Sequence, residues 1–556
     1  MTTPATVTEL LESWASARPA DVVAIERHGA QRTLTIGDLV ARSHGLAAGF
    51  AAAGASPEKP IVVWLPNRIE WLEAVAAAAL LATPIIGLNT RYRSDELRHV
   101  LERSAAGVLV AVDEFAGIRF AELVAGAGIA QLTSIVIAGD RGAAWDDLGC
   151  QILAWNSLAG SLADSPAAAP AAPPRRPAPE PTDLLAAFTT SGTTGFPKLA
   201  AHDQAGVVRH AFDVAAGFDI RPGDRVLVDL PLCGVFGYNS LFGAIGGRAT
   251  TLLNERFDPD DTAHAIAAEG VTHYNASDDM LLRVMDAGVI QAGRHRWRSG
   301  GFANFTNAAR RAAERAEVEL GVKLSGVYGM SEVFALLSRW PATMSLDDRA
   351  RAGGIPVGAA TEVRVIDPQS GRERPVGQAG VDGIGQAGVD GELCFRGPTV
   401  LARYLGDPAA TEMALAADGW FRSGDLGRLT ADGGFEYLAR LGDSLRLRGF
   451  LVDPAEIEHR LETHPSVEVA QVVGVDRPGV GQVAVAFVRL RASLTAPLTA
   501  PVTEDELGVH CAAGIANFKV PVRFVVVEAF PTVEGPNGVK IRKRELRERA
   551  TELLGE

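Results

Sequence analysis

Short runs of β-branched residues alternate with segments of helical periodicity from Val7 to about Val112. Two such runs are residues 60–64 (PIVVW) and 108–111 (VLVA). Regular alternation of this kind is typical of layered α/β proteins, in which helices cover the faces of a largely parallel sheet. The first part of the chain is therefore predicted to fold as a doubly wound α/β sheet. At 556 residues, the chain is long enough for a large α/β body and a further small unit.

Composition narrows the class of protein further. Hydrophobic residues make up 47% of the chain and charged residues 22%, which excludes a disordered or collagen-like protein. A formal net charge of −14 provides no general attraction for nucleic acid or an anionic membrane. The four cysteines are widely separated, so neither a disulfide framework nor a zinc site is indicated. With no signal peptide or membrane-spanning stretch recognisable, we expect a cytoplasmic protein.

Two segments interrupt this pattern. Residues 165–181 (SPAAAPAAPPRRPAPEP) are too rich in proline for a helix or strand and are predicted to form an exposed connector. The hexapeptide QAGVDG occurs at 378–383 and again at 386–391, ahead of a predicted strand at 392–395. We interpret the repeat as a duplicated loop without a role in chemistry.

A new pattern begins after residue 440. It predicts a helix at 454–461 and strands at 467–475, 483–490 and 522–528, enough for a small α+β unit. We therefore expect an N-terminal domain over residues 1–440, with a small barrel-like β subdomain at its end, and a small mobile C-terminal domain over 441–556.

The segment 189–198 (TTSGTTGFPK) follows a predicted buried strand at 183–188. Glycines allow backbone N–H groups to approach a polyphosphate, while hydroxyl and ammonium groups donate hydrogen bonds to its oxygens. The spacing is not that of a Walker A motif, and composition alone fits a solvated turn equally well. The candidate phosphate-binding residues are Thr189, Thr190, Ser191, Gly192, Thr193, Thr194, Gly195 and Lys198.

The order of these residues resembles the signature loop of the adenylate-forming superfamily, which includes acyl-CoA synthetases, peptide-synthetase adenylation domains and firefly-type luciferases. Residues 328–332 (YGMSE) resemble the family's YGxTE segment. The resemblance implies that Tyr328, followed by Gly329, stacks on adenine, that Ser331 meets phosphate and that Glu332 helps to hold magnesium. Residues 299–303 (SGGFA) resemble a glycine turn bordering both adenine and the acyl group, which implicates Gly300 and Gly301.

Segments nearer the C-terminus continue the resemblance. Residues 419–425 (GWFRSGD) imply that Asp425 accepts hydrogen bonds from the two ribose hydroxyls. Arg440 is the first residue of a segment that resembles the family's hinge, and the resemblance implies that it reaches ribose or phosphate. The hinge position two residues later is Gly442 instead of the usual aspartate or lysine, so rotation remains possible without the bias of a charge.

The C-terminal run 540–546 (KIRKREL) resembles the segment that carries the family's catalytic lysine, which implies that role for Lys540. One extra residue separates Lys540 from the preceding glycine, compared with the family pattern. Lys543 is the rival candidate, and without the resemblance the whole run is interpreted as a basic tail helix.

The acyl pocket departs from the family pattern. Gly234 stands where relatives usually carry a histidine, so we expect a roomier and less polar pocket mouth. An apolar acid, aromatic or of medium chain length, is the substrate class that this favours. Each candidate could equally belong to the ordinary hydrophobic core. The candidate pocket residues are Gly234, Phe236, Tyr238, Gly300, Phe302 and Met330.

The resemblance implies an ATP- and Mg²⁺-dependent ligase in which Lys540, Glu332 and Ser331 serve catalysis. The acid becomes an acyl-adenylate, and the small domain then rotates so that the thiol of coenzyme A can attack. Coenzyme A is inferred by analogy alone. A second hypothesis is an amide bond synthetase, in which Asp203, Asp278 or Asp279 holds an incoming amine, although helix capping explains these carboxylates equally well. A third is a non-catalytic nucleotide-binding homologue.

Overall fold

The computed structural model describes residues 3–128, 132–158, 178–190, 197–305, 308–374, 388–441, 445–447, 450–452, 454–477, 481–491, 502–513, 515, 519–535 and 538–555. Most of the predicted connector and the first copy of the hexapeptide lie outside these residues. So do Ser191, Gly192, Thr193, Thr194, Gly195 and the hinge residue Gly442.

The helices of the described residues are distributed along the whole chain. They are α1 (Val7–Ala17), α2 (Ile36–Ala52), α3 (Ile69–Leu80), α4 (Ser94–Ser104), α5 (Phe120–Ala127), α6 (Trp155–Leu158), α7 (Gln204–Phe218), α8 (Val235–Gly246), α9 (Pro259–Ala268), α10 (Asp278–Asp286), α11 (Ala309–Leu320), α12 (Leu346–Arg349), α13 (Pro408–Ala414), α14 (Pro454–Glu462), α15 (Glu504–Ala512) and α16 (Lys543–Gly555).

The strands of the first half alternate with these helices. They are β1 (Val22–Glu26), β2 (Arg32–Thr35), β3 (Ile61–Trp64), β4 (Ile85–Gly87), β5 (Val108–Ala111), β6 (Glu114–Phe115), β7 (Ile118–Arg119), β8 (Ser134–Ile137), β9 (Gln151–Ala154), β10 (Leu184–Thr189), β11 (Leu199–Asp203), β12 (Arg225–Val228), β13 (Thr250–Leu253), β14 (His273–Tyr274) and β15 (Ala276–Ser277).

The strands of the second half are mostly adjacent to one another in sequence. They are β16 (Gly301–Ala303), β17 (Ser325–Met330), β18 (Phe334–Arg339), β19 (Gly353–Pro356), β20 (Glu362–Ile366), β21 (Gly391–Arg396), β22 (Arg403–Tyr404), β23 (Phe421–Leu429), β24 (Phe435–Arg440), β25 (Leu445–Leu447), β26 (Phe450–Val452), β27 (Val467–Arg477), β28 (Gly481–Leu490), β29 (Arg523–Val526), β30 (Thr532–Gly535) and β31 (Gly538–Ile541).

An eight-stranded sheet, in the order β22-β11-β10-β4-β3-β5-β8-β9, forms one layer of the large body. Its strands from β10 to β9 are parallel neighbours, and helices connect most of them along the chain. The strands β3 and β5 are buried along their whole length, as expected of parallel strands covered on both faces. A five-stranded sheet, β14-β12-β13-β1-β2, forms a second layer. The predicted α/β class is confirmed.

A nine-stranded sheet, β15-β16-β17-β18-β19-β24-β23-β21-β20, carries much of the predicted site. Its first three strands are parallel and the remaining neighbours are antiparallel. The antiparallel strands predicted as a barrel-like subdomain form this second part. The glycine segment at 299–303 was expected to be a turn, and this expectation is wrong for Gly301, which begins β16 and pairs with Ser325 of β17.

The described residues after 441 form a smaller unit. Strands β25 to β29 make one sheet, α14 packs against β27, and two separate clusters of buried apolar side chains draw only on residues from Leu445 onward. The predicted helix at 454–461 and the strands at 467–475 and 483–490 are confirmed as α14, β27 and β28. The boundary near residue 440 falls between β24 and β25 and stays a prediction.

No helix within the described ranges is both long enough and apolar enough to cross a bilayer. All four cysteines are free thiols, in agreement with their wide spacing in the sequence.

Candidate active site

The hydroxyl-rich loop connects two paired strands. β10 and β11 run antiparallel, and the Thr190 N–H donates to the carbonyl of Lys198 at 2.9 Å, so the two ends of the loop lie side by side. The predicted strand at 183–188 is confirmed as β10. Of the predicted phosphate-binding residues, Thr189, Thr190 and Lys198 are described and stand together at the base of this loop.

Two side chains near α4 hold the ends of the loop, and neither was predicted from the sequence. His99 Nε2 donates to the Pro197 carbonyl at 3.0 Å. The Tyr92 hydroxyl is hydrogen-bonded to the side chain of Thr189. Both residues precede the loop by about a hundred positions, so no local sequence signal connects them to it.

The turn after β17 brings Ser331 to the same loop. Its hydroxyl lies 3.5 Å from the Thr189 carbonyl oxygen, while its own carbonyl accepts from His202 Nε2 at 2.7 Å. Burial lowers the pKa of His202 to about 4, so this imidazole is neutral at physiological pH and donates as an N–H group. Gly329 is exposed and Met330 is half-buried beside this turn.

Glu332 is buried and hydrogen-bonded. Its Oε1 accepts from the hydroxyl of Tyr404 at 2.9 Å, and the Lys198 ammonium lies 4.9 Å from the centre of the Tyr404 ring. Burial raises the pKa of Glu332 above its usual range, and the bond from Tyr404 opposes this shift. Tyr404 therefore links the predicted metal-binding carboxylate to the predicted phosphate loop, a role that only the pairing of β22 with β11 reveals.

Tyr328, Asp425 and Arg440 form one connected group. The Tyr328 hydroxyl donates to Asp425 Oδ2 at 2.6 Å, and Arg440 Nη1 lies 2.8 Å from Asp425 Oδ1. Asp425 and Tyr328 are both buried, and the Tyr328 ring stacks on Phe395 with centroids 5.3 Å apart. Three residues predicted to contact the nucleoside thus converge, because β23 pairs with β24 so that Asp425 faces Arg440.

Lys540 reaches this group from the C-terminal unit. It lies on β31, which packs against α10, and its ammonium stands 4.6 Å from the centre of the Phe305 ring. Burial and the nearby charge of Arg440 lower the pKa of Lys540 below the usual lysine value. The charge of Arg440 also acts on Glu332, so two cations and two carboxylates share one small region.

The Phe305 segment is fixed by a buried carboxylate. Asp278, at the first turn of α10, accepts from the backbone N–H of Phe305 at 3.1 Å and from that of Ala308 at 2.8 Å. Asp203 caps α7 by accepting from the Gly206 N–H at 2.7 Å. Capping and loop bonding therefore occupy two of the three carboxylates considered as amine ligands. The third, Asp279, is half-buried and lies 3.8 Å from the Arg283 guanidinium one turn further along α10.

The predicted pocket residues are mainly part of the core. Gly234 is the N-cap residue of α8, and Phe236, Tyr238 and Phe302 are at most 4% exposed. The Tyr238 ring packs against Phe188 at the end of β10, with centroids 5.1 Å apart. These aromatic side chains therefore build the apolar wall behind the loop.

Two glycines of the predicted pocket are required by close backbone approach. A Cβ atom on Gly300 would stand 2.0 Å from the Tyr274 carbonyl oxygen, and one on Gly301 would stand 2.5 Å from a methyl of Val327. The Gly301 N–H donates to Asn275 Oδ1 at 2.8 Å. Any larger residue at either position would displace β16 from its neighbours.

The donor set fits magnesium. Mg²⁺ is held in proteins by one or two carboxylates together with substrate phosphates, and the Glu332 carboxylate with the Ser331 hydroxyl provides oxygen donors beside the predicted phosphate loop. Within the described ranges, no cluster of three or more His, Cys, Asp or Glu side chains is placed to hold a metal by itself. Magnesium bound here would supply positive charge to the phosphates.

For the adenylation that the sequence resemblance implies, the position of Lys540 predicts a pH dependence. Only the ammonium form of Lys540 can neutralise anions, and its pKa is lowered. We therefore expect kcat/KM for ATP to begin its fall at a lower pH than it would with a lysine of ordinary pKa. Arg440→Gln removes the neighbouring positive charge, so the alkaline limb is expected to move to higher pH although the rate itself falls. The measurement is pyrophosphate exchange as a function of pH. Arg403→Gln, an exposed arginine, serves as control, and an unmoved limb in Arg440→Gln would contradict the assignment.

The sequence matches the family described as AMP-binding enzyme over residues 11–405, and the one described as AMP-binding enzyme C-terminal domain over residues 456–534. Among curated relatives, the feruloyl-CoA synthase of an Amycolatopsis species is 29% identical, with 94% of this chain and 95% of that protein covered.

Two solved structures share the fold of the whole chain. The crystal structure of ATP-bound MatB from Rhodopseudomonas palustris has a TM-score of 0.79 at 20% identity, with 98% of this chain and 99% of that chain covered. The structure of the amide bond synthetase McbA from Marinactinospora thermotolerans has a TM-score of 0.77 at 22% identity, with 98% and 100% covered. At such identities the likeness establishes the fold and leaves the chemistry of the acceptor open.

Proposed function

Because the chain belongs to the family of AMP-binding enzymes, and is thus an adenylate-forming ligase, we propose that it activates an apolar carboxylic acid with ATP and transfers the acyl group to coenzyme A. In the first step, a carboxylate oxygen attacks the α-phosphorus of ATP. The bond from that phosphorus to the bridging oxygen of the β-phosphate breaks, and pyrophosphate leaves. The product is an acyl-adenylate.

The observation that carries this proposal is the place of Lys540. Its ammonium, on a strand of the C-terminal unit, stands beside Phe305 and close to Arg440 of the large body. Attack of a carboxylate on a phosphate brings two anions together, so the barrier falls when fixed positive charge is held at the point of attack. Lys540 can bridge the substrate carboxylate and the α-phosphate from this position.

The other residues have complementary tasks. The base of the loop, with Lys198, and the Ser331 hydroxyl would donate to the β- and γ-phosphates. Asp425 would accept from the two ribose hydroxyls, held in place by Arg440. Glu332 would be the protein carboxylate that binds magnesium. Tyr328 would support the adenine side of the site, although its hydroxyl is already bonded to Asp425.

In the second step, the sulfur of the thiol attacks the acyl carbon, the bond to the phosphate oxygen of AMP breaks, and the thiol proton is released. We propose that the C-terminal unit rotates between the steps, which withdraws Lys540 and opens access for the thiol. The likeness to a feruloyl-CoA synthase supports coenzyme A as the acceptor. The apolar acid, aromatic or of medium chain length, is supported by Gly234 at the pocket mouth and by the buried aromatic side chains behind it.

A second candidate function is amide synthesis, in which an amine replaces the thiol. It is supported by the shared fold with the amide bond synthetase McbA and by the half-buried Asp279, whose carboxylate has only the 3.8 Å ion pair with Arg283 to give up for an ammonium group. Asp203 and Asp278 support it less, because backbone N–H groups already occupy them.

Product analysis separates these functions. The full chain with ATP, Mg²⁺, a panel of aromatic and medium-chain acids, and either coenzyme A or an amine panel is expected to form acyl-CoA, detected by mass spectrometry. Reactions without ATP serve as the control. Amide formation without thioester would establish the second function in place of the first. Absence of pyrophosphate exchange with every acid would instead favour a non-catalytic nucleotide-binding protein.

A further inference from the structure

A cleft of about 490 Å³ lies away from the candidate active site. Its polar wall includes Arg298, Lys323 and Arg339, and its apolar wall includes Pro341, Ile355 and Val357. A volume of this size accommodates a small organic molecule. None of the predicted site residues lines this cleft, although Ser299 of the lining directly precedes the predicted pocket residue Gly300.

The strand directions separate the cleft from the catalytic region. β16 and β17 are parallel, and their carboxyl ends lead to Phe305 and Ser331, whereas Ser299, just before β16, lines the cleft. Arg339 is the last residue of β18, which runs back from the active site. At about 3.3 Å per residue, the five steps from Phe334 to Arg339 span roughly 17 Å. The two sites therefore lie at opposite ends of the same strands.

Arg339 is a largely buried cation of this wall. Its Nη1 donates to the Gly217 carbonyl at 3.1 Å and to the Ser299 hydroxyl at 3.4 Å, and its Nε donates to the Trp340 carbonyl at 3.4 Å. The guanidinium also stacks over the Phe218 ring at 4.5 Å. Within the described part of the chain, no carboxylate forms an ion pair with it, and the nearby Arg349 is also positively charged. Burial lowers the pKa of Arg339 to about 10, which still leaves it charged at physiological pH.

The other two cations of the wall are already paired. Arg298 Nη2 lies 2.8 Å from Asp224, and the Lys323 ammonium lies 3.7 Å from Glu317. Asp219, the carboxylate of the cleft wall, lies 3.6 Å from Arg298 as well. Among the described residues, Arg339 is therefore the cation of this wall that no carboxylate pairs with. A buried charge is costly unless a counter-charge meets it, and a guanidinium forms charge-assisted hydrogen bonds with a carboxylate.

We propose that this cleft is a second ligand site, which binds a monocarboxylate with an apolar body and pairs its carboxylate with Arg339. One cation without a paired carboxylate among the described residues matches a single anionic group. Asp219, which also lines the cleft, repels negative charge and so disfavours polyanions such as nucleotides and pyrophosphate. Pro341, Ile355 and Val357 provide the surface for an aliphatic or aromatic body.

Photolabelling of the full chain with 4-benzoylbenzoate tests the proposal, because the carboxylate occupies the anion site while the benzophenone inserts into nearby C–H bonds. Labels are expected in the segments 340–349 and 352–364, which carry the apolar wall, as mapped by peptide mass spectrometry. Hexanoate in excess is expected to suppress them, and hexanamide is not. The neutral probe 4-benzoylbenzamide is expected to label these segments at least tenfold less, the factor that corresponds to about 1.4 kcal/mol for a charge-assisted contact.

Three variants complete the test. Arg339→Gln is expected to lower labelling of the cleft at least tenfold, and Arg311→Gln, an exposed arginine of α11, is expected to leave it unchanged. Ala342→Trp changes an exposed residue of the cleft wall, so it is expected to block the probe without disturbing the buried charge. The proposal would be overturned if the acid and the amide probe labelled the cleft equally. It would also be overturned if Arg339→Gln and Ala342→Trp kept full labelling of the cleft, or if all labels lay in the catalytic region. Pyrophosphate exchange, measured in parallel, is expected to persist in Arg339→Gln and in Ala342→Trp.

Discussion

Lys540→Ala is expected to lower carboxylate-dependent pyrophosphate exchange by about 10²- to 10³-fold, the usual effect of removing one fixed group that stabilises transition-state charge. The ammonium stands between the C-terminal unit and the large body, over Phe305 and near Arg440. Its removal leaves the attacking carboxylate and the α-phosphate to repel each other. ATP binding is expected to change little, because the ribose and phosphate contacts assigned to Asp425 and the loop remain.

Lys543→Ala is the matched control for this variant. Lys543 is only three residues away, but its ammonium pairs with Glu458 at 3.2 Å within the C-terminal unit itself. Exchange is therefore expected to survive in Lys543→Ala. Two results would show that the assignment of the catalytic lysine is wrong. One is a Lys540→Ala variant that retains more than about a tenth of the exchange rate. The other is a Lys543→Ala variant whose exchange rate falls as far as that of Lys540→Ala. Lys540→Arg adds a further readout, since it keeps the charge and should recover part of the rate.

Asp425→Asn is expected to raise the KM for ATP by about 10²-fold while changing kcat much less, because two hydrogen bonds to a charged acceptor contribute roughly 1.5 kcal/mol each. The carboxylate is buried, accepts from Tyr328 and pairs with Arg440. Asparagine keeps the shape but places an NH₂ group where one acceptor oxygen stood. Ribose hydroxyls then lose an acceptor, and Arg440 loses its counter-charge.

The comparison for this prediction uses 2′,3′-dideoxy-ATP. If Asp425 binds the ribose hydroxyls, the wild-type enzyme should discriminate strongly between ATP and the dideoxy analogue, and Asp425→Asn should lose most of that discrimination. A mere folding defect would lower activity with both nucleotides and is monitored by thermal unfolding. Asp418→Asn, at an exposed aspartate in the turn before β23, is the control. Unchanged discrimination in Asp425→Asn would remove Asp425 from the ribose site.

Much of the fold follows from local pattern. Parallel strands such as β3 and β5 are continuous apolar runs of β-branched residues, and a run of this kind has few alternatives to burial in a covered sheet. The strand at 183–188, the helix at 454–461 and the strands that form β27 and β28 were likewise predicted from local pattern. The expected turn at 299–303 was wrong, because its two glycines look like turn residues locally, whereas they allow close approach of Tyr274 and Val327.

For the site, too, the residues that stand in a local motif were predicted and the others were not. Tyr328, Glu332, Asp425 and Arg440 were identified because each stands in a contiguous motif with recognisable order. Tyr404 was not, although it bonds Glu332 directly, because a single tyrosine in a short strand carries no local signal. His99 and Phe305 were missed for the same reason: their contacts with Pro197 and Lys540 join segments that are distant along the chain.

Motif order in the sequence was therefore enough to predict the chemical groups that we assign to the reaction: a hydroxyl- and glycine-rich loop, a few carboxylates and Lys540. Which of these groups lie in contact depends on how the chain packs. Hydrogen bonds and ion pairs act over about 3–4 Å, and residues as far apart as Tyr328 and Asp425 come within that range only when strands pair and a second unit packs against the first. The same holds for Arg339: that none of the described carboxylates pairs with it is a property of the packed molecule and of no segment of the sequence.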